Sequence, residues 1–137
     1  MIEIINRQNN HWIDSRSFQF LLNTLAEQYD LNDPEISLAF VNDDEIKTLN
    51  QKYLNKNNPT DVLSFPIGEK GPDGKFYLGD IIISVPRAYE QSVEKKHSLE
   101  NELKLLTIHG FLHLIGYEHF KGIEEEEKKI WGFLKGE

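Results

Sequence analysis

Three histidines fall within eleven residues, in the run His109-Gly-Phe-Leu-His113-Leu-Ile-Gly116-Tyr-Glu-His119. On a helix, residues four apart leave the same face one turn from each other, so His109 and His113 present two imidazoles side by side. Gly116 stands where such a helix ends in a left-handed residue, a conformation glycine adopts without a Cβ clash. The chain can then turn and return a third imidazole from His119. Three neutral imidazoles on one divalent ion, with a position left for water, form the pattern of catalytic zinc, whereas a closed structural site carries a fourth protein ligand. The same donor set also accepts nickel, copper or iron.

From Leu105 to Ile115 every residue except Thr107, Gly110 and the two histidines is apolar, which predicts a largely buried helix. Two unpaired imidazoles there carry a desolvation cost that a shared metal removes. His11 and His97 have no such neighbours in sequence and read as core histidines bonded to backbone carbonyls. The spacing is that of the metzincin peptidase motif H-E-x-x-H-x-x-G-x-x-H, with one change: Gly110 stands where those enzymes place the general-base Glu. A glycine takes no proton from water, which weighs against a peptidase. The nearest acid in sequence is Glu118. It has three readings: a catalytic base, a carboxylate orienting a ligating imidazole, or a solvated loop group.

The elements that must position these residues follow from periodicity and caps. Met1 to Ile5 reads as a short strand. Asp14 or Ser15 caps a helix to about Tyr29 carrying Phe18, Leu21, Leu22 and Leu25. Glu35 to Val41 alternates like a strand. Asn42 and Asp43 cap a helix with Ile46, Leu49 and Tyr53 on one side, broken at Asn57-Asn58-Pro59. Asp61 to Pro66 reads as a strand ended by its proline. Gly68 to Gly74 is a loop, and Tyr77 to Val85 a buried strand. Pro86 opens a polar helix to about Lys96, and Ser98 caps the motif helix, Leu99 to Ile115. A last helix, Glu124 to Leu134, packs through Ile123, Ile130, Trp131 and Leu134. Its Glu124 to Glu127 run suits a helix N-terminus and is given no chemistry. The fold class is α+β, a small mixed four-stranded sheet packed with helices, with the three-histidine site at the end of a buried helix.

The 137 residues suit one domain, 1–137. No cysteine is present, which excludes disulfides, thiolate ligands and a cysteine nucleophile. No apolar run approaches a membrane span, and Met1 to Arg7 lacks the order of a secretion signal, so a cytoplasmic protein is expected. The net charge of −8 excludes a broad basic surface. Between Glu45 and Asp61, however, there is no acid, while Lys47, Lys52 and Lys56 give a local positive stretch. A bound divalent ion would add to it. Weak, salt-sensitive RNA binding with help from protein contacts is the mode this permits.

The histidine run resembles the H-G-x-L-H-L-x-G-Y-D-H signature of the YbeY family of rRNA maturation endoribonucleases. Leu49-Asn-Gln-Lys-Tyr53, Pro59-Thr-Asp-Val-Leu-Ser-Phe-Pro66 and Leu78-Gly-Asp-Ile-Ile-Ile-Ser84 are similar to further segments of that family. The resemblance implies a zincin-like fold and one divalent ion, zinc by preference, on His109, His113 and His119. It also implies a single-strand-specific endoribonuclease acting in 16S rRNA maturation and ribosome quality control, with rRNA and the small ribosomal subunit as partners. Two positions depart from the family pattern. Glu118 replaces its usual Asp, and Leu54 stands where it has an Arg thought to matter for catalysis. Leu cannot stabilise developing phosphate charge, and Lys52 or Lys56, as substrate-binding groups, offer a point charge in place of a bidentate fork. Asp61, Ser64 and Asp80 read as turn caps and strand-end hydrogen-bonding groups, or as groups contacting substrate or supporting the metal ligands. The competing readings are a metzincin-type zinc peptidase and a non-catalytic ribosome assembly factor whose metal holds the fold.

Overall fold

The computed structural model describes residues 1–56, 60–117 and 122–134. Among these, four strands and five helices run in the order β1 (Ile2–Asn6), α1 (Ser15–Gln28), β2 (Glu35–Val41), α2 (Asp43–Leu54), β3 (Val62–Lys70), β4 (Phe76–Ser84), α3 (Val85–Lys95), α4 (Leu99–Leu114) and α5 (Ile123–Leu134). Asp14 and Ser98 cap as expected, whereas Asn42 stands at the start of α2 without a side-chain cap bond and Ser84, expected within a strand, caps α3. Asp14 accepts from the Arg16 N–H, Ser84 from Arg87 and Ser98 from Asn101, each satisfying a donor that a helix start leaves open. No helix among the described residues is long and apolar enough to cross a membrane.

The sheet order is β1-β2-β4-β3, with β1, β2 and β4 parallel and β3 antiparallel to β4, so the sheet is mixed as expected. Alternation along β4 splits the core between two faces. Ile81 and Ile83 join Phe18, Leu22, Phe40 and Phe111 in the large cluster under α1 and α4. Ile82 turns the other way, towards Val41, Ile46 and Leu63.

Several element ends shift by a residue from the sequence expectation, Val85 opening α3 instead of closing β4, and two differ by more. The helix α2 ends at Leu54, before the expected break, because Asn55 takes a left-handed conformation at φ +58. Pro59 itself lies outside the described residues. The strand β3 does not end at Pro66 but runs to Lys70, with an irregular register between Pro66 and Glu69. Its register explains why proline is tolerated. The Asp61 carbonyl accepts the Ser84 N–H at 2.9 Å, which sets the backbone groups of 61, 63 and 65 towards β4. The even-numbered residues face the open edge, where Pro66 has no ladder donor to lose.

Asp80 sits on the Ile82 face, away from α4. Burial holds its carboxyl above the ordinary range, a hydrogen bond with Ser37 draws it partly back, and the Glu3 carboxylate adds to the rise. A raised carboxyl means the fold disfavours the charged form. The resulting loss of stability is therefore present above the folded pKa and vanishes as pH falls below the unfolded value. Asp80→Asn is expected to raise Tm slightly at pH 7, by ~3 °C at most given solvent screening. The gain should fade on acidification, and a Tm lower than wild type at neutral pH would contradict it.

Candidate functional site

The helix α4 is amphipathic only in a narrow sense, since Leu103, Leu106, Ile108, Phe111, Leu112 and Leu114 are all buried. Its end is a glycine cap. The Gly116 N–H donates to the His113 carbonyl and the Tyr117 N–H to Leu112, with Gly116 at φ +105, the paired pattern that closes a helix through a glycine. The expected turn after the second histidine is thus present. Glu118 and His119 lie outside the described residues. Among those described, no three His, Asp or Glu side chains form a group able to hold a metal ion.

His109 and His113 do meet as their spacing predicts. Their ring centroids are 4.6 Å apart with planes at 70°, and Nε2 faces Nε2 at 3.0 Å. Two imidazole nitrogens on one tetrahedral zinc stand about 3.3 Å apart, given bonds of about 2.05 Å. The observed separation is that of a hydrogen bond between the two rings and is close to the spacing of two ligands on one small cation.

The residue that sequence reasoning missed is Glu127. Its carboxylate is hydrogen-bonded to Nδ1 of His109. A carboxylate on Nδ1 holds the proton there, so that Nε2 presents a lone pair, and it fixes the ring's orientation. The preceding residue, Glu126, accepts from the Tyr29 hydroxyl at the end of α1. Burial and this carboxylate push the Tyr29 phenol up, which keeps it a donor. Adjacent acids of α5 thus tie that helix to both α1 and α4. A usable signal existed: Ile123, Glu127, Ile130 and Leu134 follow each other at spacings of four, three and four, placing one acid in the apolar seam.

The imidazole pair opens into a groove of about 1100 Å³, bounded by the open edge of β3, the end of α2, the end of α3 and the groove face of α4. Leu54, Lys56, Asp61 and Ser64 line it together with His109 and His113. Leu54 therefore occupies the groove wall. Lys52 does not line the groove, and its ammonium lies 5.3 Å from the Tyr53 ring centroid. Asp61 accepts from the Val62 N–H at 2.8 Å and from Gln91 at 3.2 Å, a strand-end cap with a bond across to α3. Ser64 donates to the Gly110 carbonyl at 3.2 Å, joining β3 to the motif helix. Asp80 is on the opposite face of the sheet and is not brought near the histidines.

The other two histidines depart from expectation in their partners. His97 does have a suitable neighbour: its Nε2 lies 2.7 Å from the fully buried Glu102 carboxylate, not on a backbone carbonyl. The tight turn between α3 and α4 brings the two together. His11 stacks on Tyr89 with centroids 5.0 Å apart.

A family model described as Endoribonuclease YbeY matches residues 3–132. A curated Endoribonuclease YbeY from Oceanobacillus iheyensis is 50% identical over 108 residues, covering 73% of this chain and 69% of the relative. One from Aquifex aeolicus is 51% identical over 98 residues, covering 72% and 65%, and one from Bacillus cereus is 43% identical over 125 residues, covering 84% and 78%. The chain thus spans about two thirds of the length of the first two. Among solved structures, the solution structure of TM1509 from Thermotoga maritima superposes with a TM-score of 0.64 at 31% identity, covering 99% of this chain and 93% of that one.

Proposed function

The chain belongs to the YbeY endoribonuclease family, and on that premise we propose that it is a metal-dependent single-strand endoribonuclease acting in small-subunit rRNA maturation. The observation that carries this reading is the facing Nε2 pair of His109 and His113 in the lining of the groove, with Glu127 hydrogen-bonded to His109. His119, the next histidine in the motif, is the third ligand of a zincin-like site at the end of α4, within one metal-hydrolase domain over 1–137. The ligand set favours zinc. A divalent ion bound there supplies Lewis acidity towards a phosphoryl oxygen and lowers the pKa of a water.

The chain's own residues do the rest. Glu127 keeps the His109 proton on Nδ1 and so keeps Nε2 a donor of electrons. Leu54, Ser64 and Leu114 line the groove together with the imidazoles. Lys56 brings an ammonium to the same groove, in reach of a phosphate backbone. Glu118, beside the third ligand, takes the role of base or of orienting carboxylate. The small ribosomal subunit in the cytoplasm is the place where such an activity meets its substrate.

One observation favours a second reading. Leu54 lines the groove wall but carries no charge to stabilise a phosphorane, which suits an assembly factor that binds the small subunit without cutting RNA. Purified protein, its metal content measured, should cleave a short single-stranded rRNA fragment and lose that activity with chelator, while unstructured casein stays intact. Chelator-insensitive ribosome binding without cleavage would establish the assembly-factor reading instead. Chelator-sensitive casein hydrolysis would establish a peptidase.

A further inference from the structure

A fully buried carboxylate on the groove face of α4 has no part in the chemistry above. Glu102 is 0% exposed, in a helix whose next turns are Leu103, Leu105 and Leu106. Its two oxygens are each engaged by a cation or potential cation. The Lys95 ammonium lies 3.1 Å from one, and His97 Nε2 lies 2.7 Å from the other. The backbone explains how three residues so close in sequence converge. Lys95 is the last residue of α3, Lys96 takes φ +57, and Ser98 caps α4, so the chain reverses within three residues.

Burying an acid to pair it is a poor way to gain stability, since an apolar residue of similar volume does as well or better. What the arrangement does achieve is to hold one lysine still. Lys95 keeps 52% of its side chain exposed and lines the groove. An ammonium has three N–H donors, and one directed at Glu102 leaves two for a ligand. A flexible surface lysine loses its rotamer entropy on gripping an anion, and one already anchored does not. The carbonyl end of α3 further favours a cation at this position.

Placement supplies the ligand. Glu102 precedes His109 by seven residues, two helical turns, so both lie on one face of α4 about 10 Å apart along its axis. Both line the same groove. Resting on the reading above, we propose that Lys95 is a backbone-phosphate contact for a single-stranded RNA, at a nucleotide removed from the scissile bond. Glu102 and His97 are its positioning residues. With Lys56, the lysine is one of two that line the groove among the described residues, beside Asp61, Glu94, Glu102 and Glu127.

The test uses the full chain and a short single-stranded RNA, its binding followed by anisotropy across a salt series in the presence of chelator, which on the reading above stops cleavage; without chelator the same RNA is the cleavable one. Lys95→Met retains the apolar stem and should fold as wild type. Its affinity should fall by about 3–10-fold at low salt, and the slope of log K against log salt should shrink by ~0.7, one phosphate on a single strand. On the cleavable RNA it should raise KM and leave kcat unchanged. Glu102→Gln should fall between the two proteins in affinity with the wild-type slope. Lys75→Met, in the β3–β4 hairpin, should match wild type in both. A Lys95→Met protein with wild-type slope and KM overturns the proposal while leaving the nuclease reading intact. Wild-type protein that binds no RNA at any salt overturns both.

Discussion

His113→Ala should remove metal content and RNA cleavage together. The two Nε2 atoms face each other at 3.0 Å, so deleting one imidazole takes away one of the two described side chains proposed as ligands. An ion left on the remaining histidines has lost the geometry that closes a three-ligand site. Metal catalysis at a phosphoryl centre contributes several kcal/mol, so cleavage should fall ~10³-fold or more at 1.36 kcal/mol per decade. Metal-free melting should barely change, because His113 is partly exposed at the groove and an alanine there favours the helix. Elemental analysis and cleavage of a single-stranded rRNA fragment read the two losses. Cleavage persisting in a metal-free His113→Ala protein would remove the metal from the mechanism. Glu127→Gln offers a graded companion: it keeps a hydrogen-bonding group on His109 Nδ1 but loses the charge, and should weaken metal affinity by about 10–100-fold.

That pair of variants separates what sequence made legible from what it did not. His109 and His113 were legible because an i,i+4 pair depends only on the helix, and Gly116 marked the helix end through its positive φ. Glu127 was hidden among four consecutive acids whose composition suits a solvated helix N-terminus. Its role depends on α5 crossing the end of α4, a tertiary fact that no local pattern encodes. Its register within the Ile123–Ile130–Leu134 seam was the only trace. Lys95, His97 and Glu102 were hidden for a related reason. Lys95 and Glu102 belong to two helices, and the three-residue turn that contains His97 makes all three neighbours.

The fold itself was legible where apolar periodicity and caps agreed, as in α1 and α4, with Asp14 and Ser98 each bonded to a helix N–H, while the α3 cap, Ser84, read as part of a strand. It was less so where one residue type has two meanings. Pro66 ends a central strand but not an edge strand, and β3 became an edge strand only once β4 inserted between it and β2. Strand order is set by long-range pairing, which alternation along a single segment does not carry.

Gly110→Glu should not create a peptidase; it should cost most of the fold's stability. A Cβ at Gly110 would lie 2.6 Å from Ile81 Cγ2, 3.2 Å from Ser64 Oγ and 3.3 Å from Ile81 Cγ1. Ile81 is fully buried between the sheet and α4, so it has little room to yield. For Gly110→Ala, relief of the glycine penalty in a helix is worth about 1 kcal/mol, against about 1–3 kcal/mol for overpacking. The net should be destabilising, a Tm drop of several degrees at ~3–4 °C per kcal/mol for a chain of this size. A glutamate adds the desolvation of a carboxylate pressed between α4 and the Ser64–Ile81 pair, several kcal/mol more against a typical total of about 5–15. The contact can be isolated by a double-mutant cycle. Ile81→Ala alone opens a cavity, yet with Gly110→Ala the new methyl enters that space, so the double variant should be more stable than the sum of the two losses predicts. Additive losses would place the clash elsewhere. A Gly110→Glu protein melting at the wild-type temperature would break the link between the glycine that removes a general base from the motif and the close seat of the histidine helix on β3 and β4.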